Sequence, residues 1–354
     1  MIFSKFLFIN FLFTFIICLI LVNISNRYKF FLGNIHQNIQ KIHKEFIPRL
    51  GGLSLISFFF IFLFNYSFLK EFNLSLYFFY TFIMLLFGFF EDISDSISSI
   101  NRFFISALII LIFTYIFDYR VTQLEFNFFD ILLQHKLIAS FFIFLCFMGV
   151  CHSFNLIDGV NGLCAGLTLL ILIFLLYVTY SQDLHILSNI LLAFIGSVLG
   201  FFILNFPSPK IFLGDSGSYF LGFNTGIIAV IVYNETNSIS PWFYALLFCY
   251  PIFELIFTYI RRIFFSRTNP FKSDLFHLHS LIFLFYEKNK IFKKTKYNNS
   301  FSSFSILFFL FIIFTLSTFL NSNKYFLILL IFIILTFYCL IYYLLYKREK
   351  NSDK

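Results

Sequence analysis

Charge is scarce in this sequence. Lys, Arg, Asp and Glu make up 12% of the 354 residues, while 60% are hydrophobic and 63 are Phe. A soluble globular domain carries about 25% charged residues and about 45–50% apolar ones. A water-soluble core could not hide this much apolar surface, so the composition excludes a soluble enzyme and points to a multi-pass membrane protein. No CxxC pair occurs among Cys18, Cys146, Cys151, Cys164, Cys249 and Cys339, and no extracellular cysteine framework is present. The six read as small buried hydrophobes. The run near 6–22 lacks a small-residue cleavage site, which favours an uncleaved first helix over a secretory leader. No internal repeat is visible, and nothing calls for a nucleic-acid partner.

What is present is a series of eleven apolar runs, near 6–22, 53–69, 74–90, 103–117, 137–153, 163–180, 185–205, 216–233, 240–260, 301–320 and 324–346. A helix needs about 20 residues to cross a bilayer core, and barrel strands only about 9–11 of alternating polarity. The expectation is an all-α polytopic bundle of 10–11 transmembrane helices, forming one integral membrane domain over 1–354. With the N-terminus outside and the C-terminus cytoplasmic, the inner segments hold 20 of the 25 Lys and Arg residues, as cytoplasmic bias requires. Nine of those lie in 261–300, read as a basic cytoplasmic loop, and 347–354 reads as a basic cytoplasmic tail.

On this map the motif carboxylates share one face. Glu91, Asp92 and Asp95 follow the third run, Asp158 the fifth and Asp215 the seventh, with Asp274 in the basic loop. Glu91, Asp92 and Asp95 fall at i,i+3 and i,i+4 spacing, so they can share a helix face. Their repulsion could be relieved by a divalent cation, a cationic partner or a shared proton. In 152–167, HSFNLIDGVNGLCAGL, Asn155, Asp158 and Asn161 recur every third residue beside Gly159 and Gly162. Amides at that spacing suit a pyrimidine edge, and glycines suit close helix packing.

In 205–223, NFPSPKIFLGDSGSYFLGF, the prolines end one helix, and Ser216 or Asp215 can cap the next. A helix N-terminus favours phosphate, and Asp215 repels it unless Mg²⁺ lies between. His277 and His279 form an HxH too sparse for zinc, and phosphate binding together with Lys272 suits them better. Glu254 lies inside a run, where a carboxylate is a functional candidate by default; an ion pair with Arg261 is the structural alternative.

Taken in order, these blocks resemble the polyprenyl-phosphate N-acetylhexosamine-1-phosphate transferase superfamily, glycosyltransferase family 4. The similarity runs from IPRLGG at 47–52 to HLH at 277–279, and NLIDGVNGL and KIFLGDSGSYFLG are its specific parts. The resemblance implies transfer of a sugar 1-phosphate from a UDP-N-acetylhexosamine to undecaprenyl phosphate in a bacterial cytoplasmic membrane, with release of UMP. It implies Mg²⁺, or Mn²⁺ in its place, on Asp215. It implies that Asp92, with Glu91, deprotonates or orients the lipid phosphate, and that Asn155 and Asp158 line the nucleotide site. Asn161 would face uracil, with Phe212 stacked on it and Asn205 nearby. His277 and His279 would contact the substrate phosphates or sugar, and Arg102 and Lys210 join the binding set. Membrane lipids surround it, and a homodimer is compatible with the resemblance. Three residues depart from the family pattern: Glu91 in the acidic pair, Asn161 in DGVNG, and Ser280 after HLH. A muramoyl-pentapeptide transferase of the same superfamily, and a transporter or flippase, are the competing readings. A transporter predicts midplane charges and repeats, and the acidic residues instead gather at one face.

Overall fold

The computed structural model describes residues 2–28, 47–60, 74–94, 98–236, 238–265, 267–269 and 274–352. Every regular element among them is helical. The long helices are α1 (Ile2–Tyr28), α3 (Leu74–Ser94), α4 (Ser99–Ile116), α6 (Lys136–Ile157), α7 (Leu163–Ser181), α8 (His185–Asn205), α9 (Gly214–Glu235), α10 (Pro241–Ile260), α12 (Thr295–Phe319) and α13 (Lys324–Ser352). Short helices α2 (Gly51–Ser54), α5 (Asn127–Leu133) and α11 (Leu278–Lys288) lie between them. Ten helices are long and apolar enough to cross a membrane among the described residues. The run at 53–69 begins as α2 and a 3₁₀ segment over Leu55–Phe59, and from residue 61 it lies outside the described residues.

The span 261–300 is not an open loop. A π-turn at Arg261–Phe265 extends α10, α11 occupies its middle, and α12 begins inside it. Likewise the tail from 347 continues α13 through Ser352. Arg261, Arg262, Lys288 and Lys296, with Lys347, Arg348 and Lys350 of the tail, ride on these helices, whose geometry long side chains tolerate well.

α9 is the axis of the bundle. It packs against α3, α6 and α7, and nearly all of its residues are buried. Glycines make this possible. A Cβ on Gly222 would stand 3.1 Å from the Cys151 Cα, and one on Gly88 of α3 would stand 2.5 Å from the Asp215 carbonyl oxygen. At the rim, α1 lies along α8, where a Cβ on Gly196 would meet the Leu7 carbonyl oxygen at 2.2 Å. Small residues let backbones approach where lipid offers no hydrophobic drive for association. The outer helices turn Phe, Leu and Ile outward, as at Leu137, Phe264 and Leu340.

Candidate active site

The first turn of α9 is where the motifs meet. Gly214 precedes Asp215 in the left-handed region, with φ 77°, a conformation that costs glycine little. Asp215 and Ser216, expected to cap α9, lie inside its first turn and do not cap it. The cap comes from another helix. Asp92 Oδ1 accepts the Asp215 N–H at 2.8 Å, and Oδ2 accepts the Ser216 N–H at 2.9 Å. Such a carboxylate satisfies two orphan donors and complements the helix dipole. Those two N–H groups are therefore engaged by protein. Phosphate attraction by a free helix N-terminus, expected from the sequence, is diminished accordingly.

Asp215 then projects from a fixed turn. Asn155 donates to its Oδ1 at 2.8 Å and to Ser218 Oγ at 3.0 Å. Arg102 Nη1 donates to Oδ2 at 3.3 Å, while its Nε stands 3.9 Å from Glu91 Oε1. The Glu91 carboxylate is buried, and among the described residues no hydrogen-bond donor reaches either oxygen. Asp158 ends α6 close enough to feel these charges. Burial pushes its carboxyl well above the usual range; the charge on Asp215 adds to this and Arg49 opposes it. Four carboxylates thus converge on two guanidinium groups.

A second brace holds this turn from below. Gly51 N–H donates to the Phe212 carbonyl at 2.8 Å, Gly52 N–H to that of Leu213 at 2.8 Å, and Phe212 N–H to that of Pro48 at 2.8 Å. Gly52 lies against Gly217, where a Cβ would come within 2.2 Å of the backbone nitrogen. IPRLGG is thereby the cradle of the α9 turn, a role its sequence signalled only through the adjacent glycines.

Other expected site residues have structural partners. Asn205 Oδ1 accepts the Gly162 N–H at 2.7 Å, and its Nδ2 donates to the Ile211 carbonyl at 2.9 Å. It ties DGVNG to the segment before Asp215. Asn161, expected to face uracil, is buried against α12 instead. Its N–H donates to Asn299 Oδ1 at 2.7 Å, its carbonyl accepts from Ser303 Oγ at 2.7 Å, and its Nδ2 lies 3.4 Å from Ser300 Oγ. Buried amides must be satisfied, and here α12 does it. The signal for this was the polar NNSFSS at 298–303, at the start of an apolar run. The Phe212 ring is half-buried at the turn, and Lys210 is exposed beside it. Asp95 and Lys272 lie outside the described residues.

The histidine loop is bound by charge. Arg261 Nη2 donates to both Asp274 oxygens at 2.9 Å, and Arg262 Nε donates to Oδ2 at 3.0 Å. Burial acts upward on Asp274, but the two arginines prevail and hold its carboxyl below the usual range. Arg261 therefore pairs with Asp274, and Glu254 pairs with His277 at 3.1 Å. His279 stacks on His277 and lies beneath Gly159, where a Cβ would come within 2.7 Å of its Nε2. Burial pushes the His279 imidazole down to about 4, so it is neutral at neutral pH.

Among the described residues, no group of three His, Cys, Asp or Glu side chains forms a ready metal cage. Mg²⁺ does not require one: it takes one or two carboxylates and completes its shell with waters and phosphate oxygens. Asp215, partly exposed and aligned by Asn155, fits that description, and Glu91 supplies oxygens that accept no hydrogen bond from the described residues.

Much of the chain is similar to known proteins. The model of glycosyl transferase family 4 matches residues 74–233. A probable undecaprenyl-phosphate N-acetylglucosaminyl 1-phosphate transferase of Bacillus subtilis is 27% identical over 268 residues, 73% of each chain. An undecaprenyl-phosphate alpha-N-acetylglucosaminyl 1-phosphate transferase of Thermotoga maritima is 28% identical over 68% of this chain and 69% of its own. A phospho-N-acetylmuramoyl-pentapeptide-transferase of Chlamydia muridarum is 42% identical, over 26% of this chain and 28% of its own. The matched region holds Glu91, Asp92, Arg102, Asn155, Asp158 and Asp215, the groups that meet at the foot of α9. Over that region the chain is similar to glycosyl transferase family 4.

Proposed function

We propose that this membrane protein transfers a sugar 1-phosphate, GlcNAc-1-phosphate foremost, from a UDP-N-acetylhexosamine to undecaprenyl phosphate, releasing UMP. The observation that carries the reading is the foot of α9, where Asp92, Asn155 and Arg102 fix Asp215 at the end of a buried helix. Relatives that match about 70% of the chain carry the name of this activity. Relatives named for the muramoyl-pentapeptide reaction match 26–42% of it.

Phosphoryl transfer needs positioning and charge neutralisation more than covalent help. Asp215, with Glu91 beside it, is the proposed holder of Mg²⁺, which when bound neutralises the diphosphate. Arg102 lies between both carboxylates and can turn its guanidinium to a phosphate oxygen. Asp158, whose carboxyl is pushed up, can hold the proton that leaves the lipid phosphate. Asp92 has both oxygens on backbone N–H groups, so its part is to fix the α9 turn and orient what binds there. Asn155 lines the donor side through its second contact, Ser218. Asn161 and Asn205 hold the DGVNG turn.

The basic residues of 261–300 and 347–352 mark the cytoplasmic side in this reading. The product would start a cell-envelope glycan such as O-antigen. The test is incubation of purified protein with undecaprenyl phosphate, Mg²⁺ and a panel of UDP-sugars that includes UDP-N-acetylmuramoyl-pentapeptide, followed by mass spectrometry of the lipid. A hexosamine product carries the proposal. A product from the muramoyl donor alone, or none, refutes it.

A further inference from the structure

Glu254 is fully buried within a membrane-spanning helix, where a carboxylate is costly and needs a reason. Its Oε1 lies 3.1 Å from His277 Nδ1 and accepts the Leu278 N–H at 3.3 Å. The other face of the His277 ring looks at Arg262 and Asp274. Arg262 Nη2 stands 3.4 Å from Nε2, and Asp274 Oδ1 stands 3.7 Å from it. Thr258 Oγ1 is 3.3 Å from Nδ1, and His279 completes the surroundings.

These contacts select a tautomer. A guanidinium can only donate, so Nε2 must accept from Arg262. The Asp274 oxygens already receive Arg261, Arg262 and the Phe276 N–H, so they do not draw a proton onto Nε2. The ring proton then sits on Nδ1 and is donated to Glu254. With both nitrogens used inside the protein, buried His277 has none left for a substrate. Its ring is parallel to that of His279 within 3°, with centroids 5.3 Å apart. His279 in turn supports the Asp158–Gly159 turn from beneath.

We propose that Glu254 is a positioning residue: it fixes His277 as the Nδ1–H tautomer, and the stacked pair His277–His279 sets the height of the Asp158–Gly159 turn at the transfer site. HLH is then a two-ring strut, and its effect on transfer passes through Asp158. The kinetic part of this inference rests on the transferase reading, and the tautomer part does not.

The test has two arms. ¹⁵N-histidine spectra of the full-length protein in detergent, with His277 assigned by the signal lost in His277→Asn, should show Nδ1 protonated and Nε2 bare at pH 7. Glu254→Leu should give a mixture of the two forms. In transfer kinetics Glu254→Leu should lower kcat by about 100-fold, as a misplacement near 1 Å does, with KM for the donor changed less than about threefold. Glu254→Gln, which keeps an acceptor oxygen, should lose about tenfold less. An Nε2–H tautomer in the unaltered protein overturns the proposal whatever the enzyme's activity. So does a Glu254→Leu protein that melts earlier yet keeps its kcat. A failure of all transfer with an intact Nδ1–H signature would fault the functional reading alone.

Discussion

Two charged regions lie near the same face of the bundle, and they treat their charges differently. Around Asp274 each carboxylate oxygen meets a guanidinium at 2.9–3.0 Å, and both arginines are buried. At the foot of α9, four carboxylates share Arg102 and Arg49, the Arg102 contacts are longer, and Glu91 accepts no hydrogen bond from the described residues. The first region is electrostatically closed and the second is open. A closed network builds shape. An open one leaves carboxylate oxygens for a ligand to use, the kind of place where perturbed groups serve chemistry, and that is the basis of the proposed Mg²⁺ and phosphate site.

The comparison can be broken by measuring activity and stability together. Asp215→Asn should leave melting in detergent nearly unchanged and cut transfer of label from UDP-sugar to lipid by about 10³-fold, the upper range for removing a key electrostatic group. Retained metal-dependent turnover would close the open region. Asp274→Ala should do the reverse first. Two buried arginines lose their partner, a loss of about 3–5 kcal/mol, read as a lower melting temperature before any assay. The same pairing predicts acid sensitivity. The Asp274 carboxyl is depressed in the folded protein, so the unfolded chain binds its proton more readily. Its contribution is complete above the ordinary Asp value of about 3.9, and should fade as pH falls through the depressed value.

Gly88→Ala tests whether the open region depends on backbone fit. Its Cβ would meet the Asp215 carbonyl at 2.5 Å, and the helices must part by a few tenths of an ångström or more. Overpacking costs about 1–3 kcal/mol, and kcat should fall more than donor KM rises. Asn161→Ala should matter least. The backbone of residue 161 keeps its bonds to Asn299 and Ser303, so UMP affinity should change by less than about 1 kcal/mol, the worth of one neutral hydrogen bond. A larger loss in a binding titration would return Asn161 to the uracil pocket.

Much of this was legible in the chain. Hydropathy placed α8 at its observed bounds, 185–205, because a buried or lipid-facing helix needs an unbroken apolar run. Spacing and motif brought Asp92, Asn155, Asp158 and Asp215 to one face. Their division of labour was not legible. That Asp92 caps α9 joins residues 123 apart in sequence, and no local pattern announces such a cap. The partner of Glu254 was not legible for the same reason. Arg261 lay within reach along the helix, but the extension by a π-turn turned it to Asp274 and left Glu254 to His277. Asn161 was read from the spacing of its own segment, whereas its partners come from α12.

The lodging of α1 against Gly196 and Gly200 of α8 has a consequence for how the protein is made. α1 leaves the ribosome about 160 residues ahead of the helix on which it rests. At roughly 5–20 residues per second, α1 waits roughly ten to thirty seconds in lipid before its groove exists. Its apolar flanks, with Phe8, Phe13 and Ile20 still outward in the finished bundle, suit it to that wait. Assembly of this enzyme is therefore a long-range closure: α1 finds its place only after the helices between it and α8 have been made.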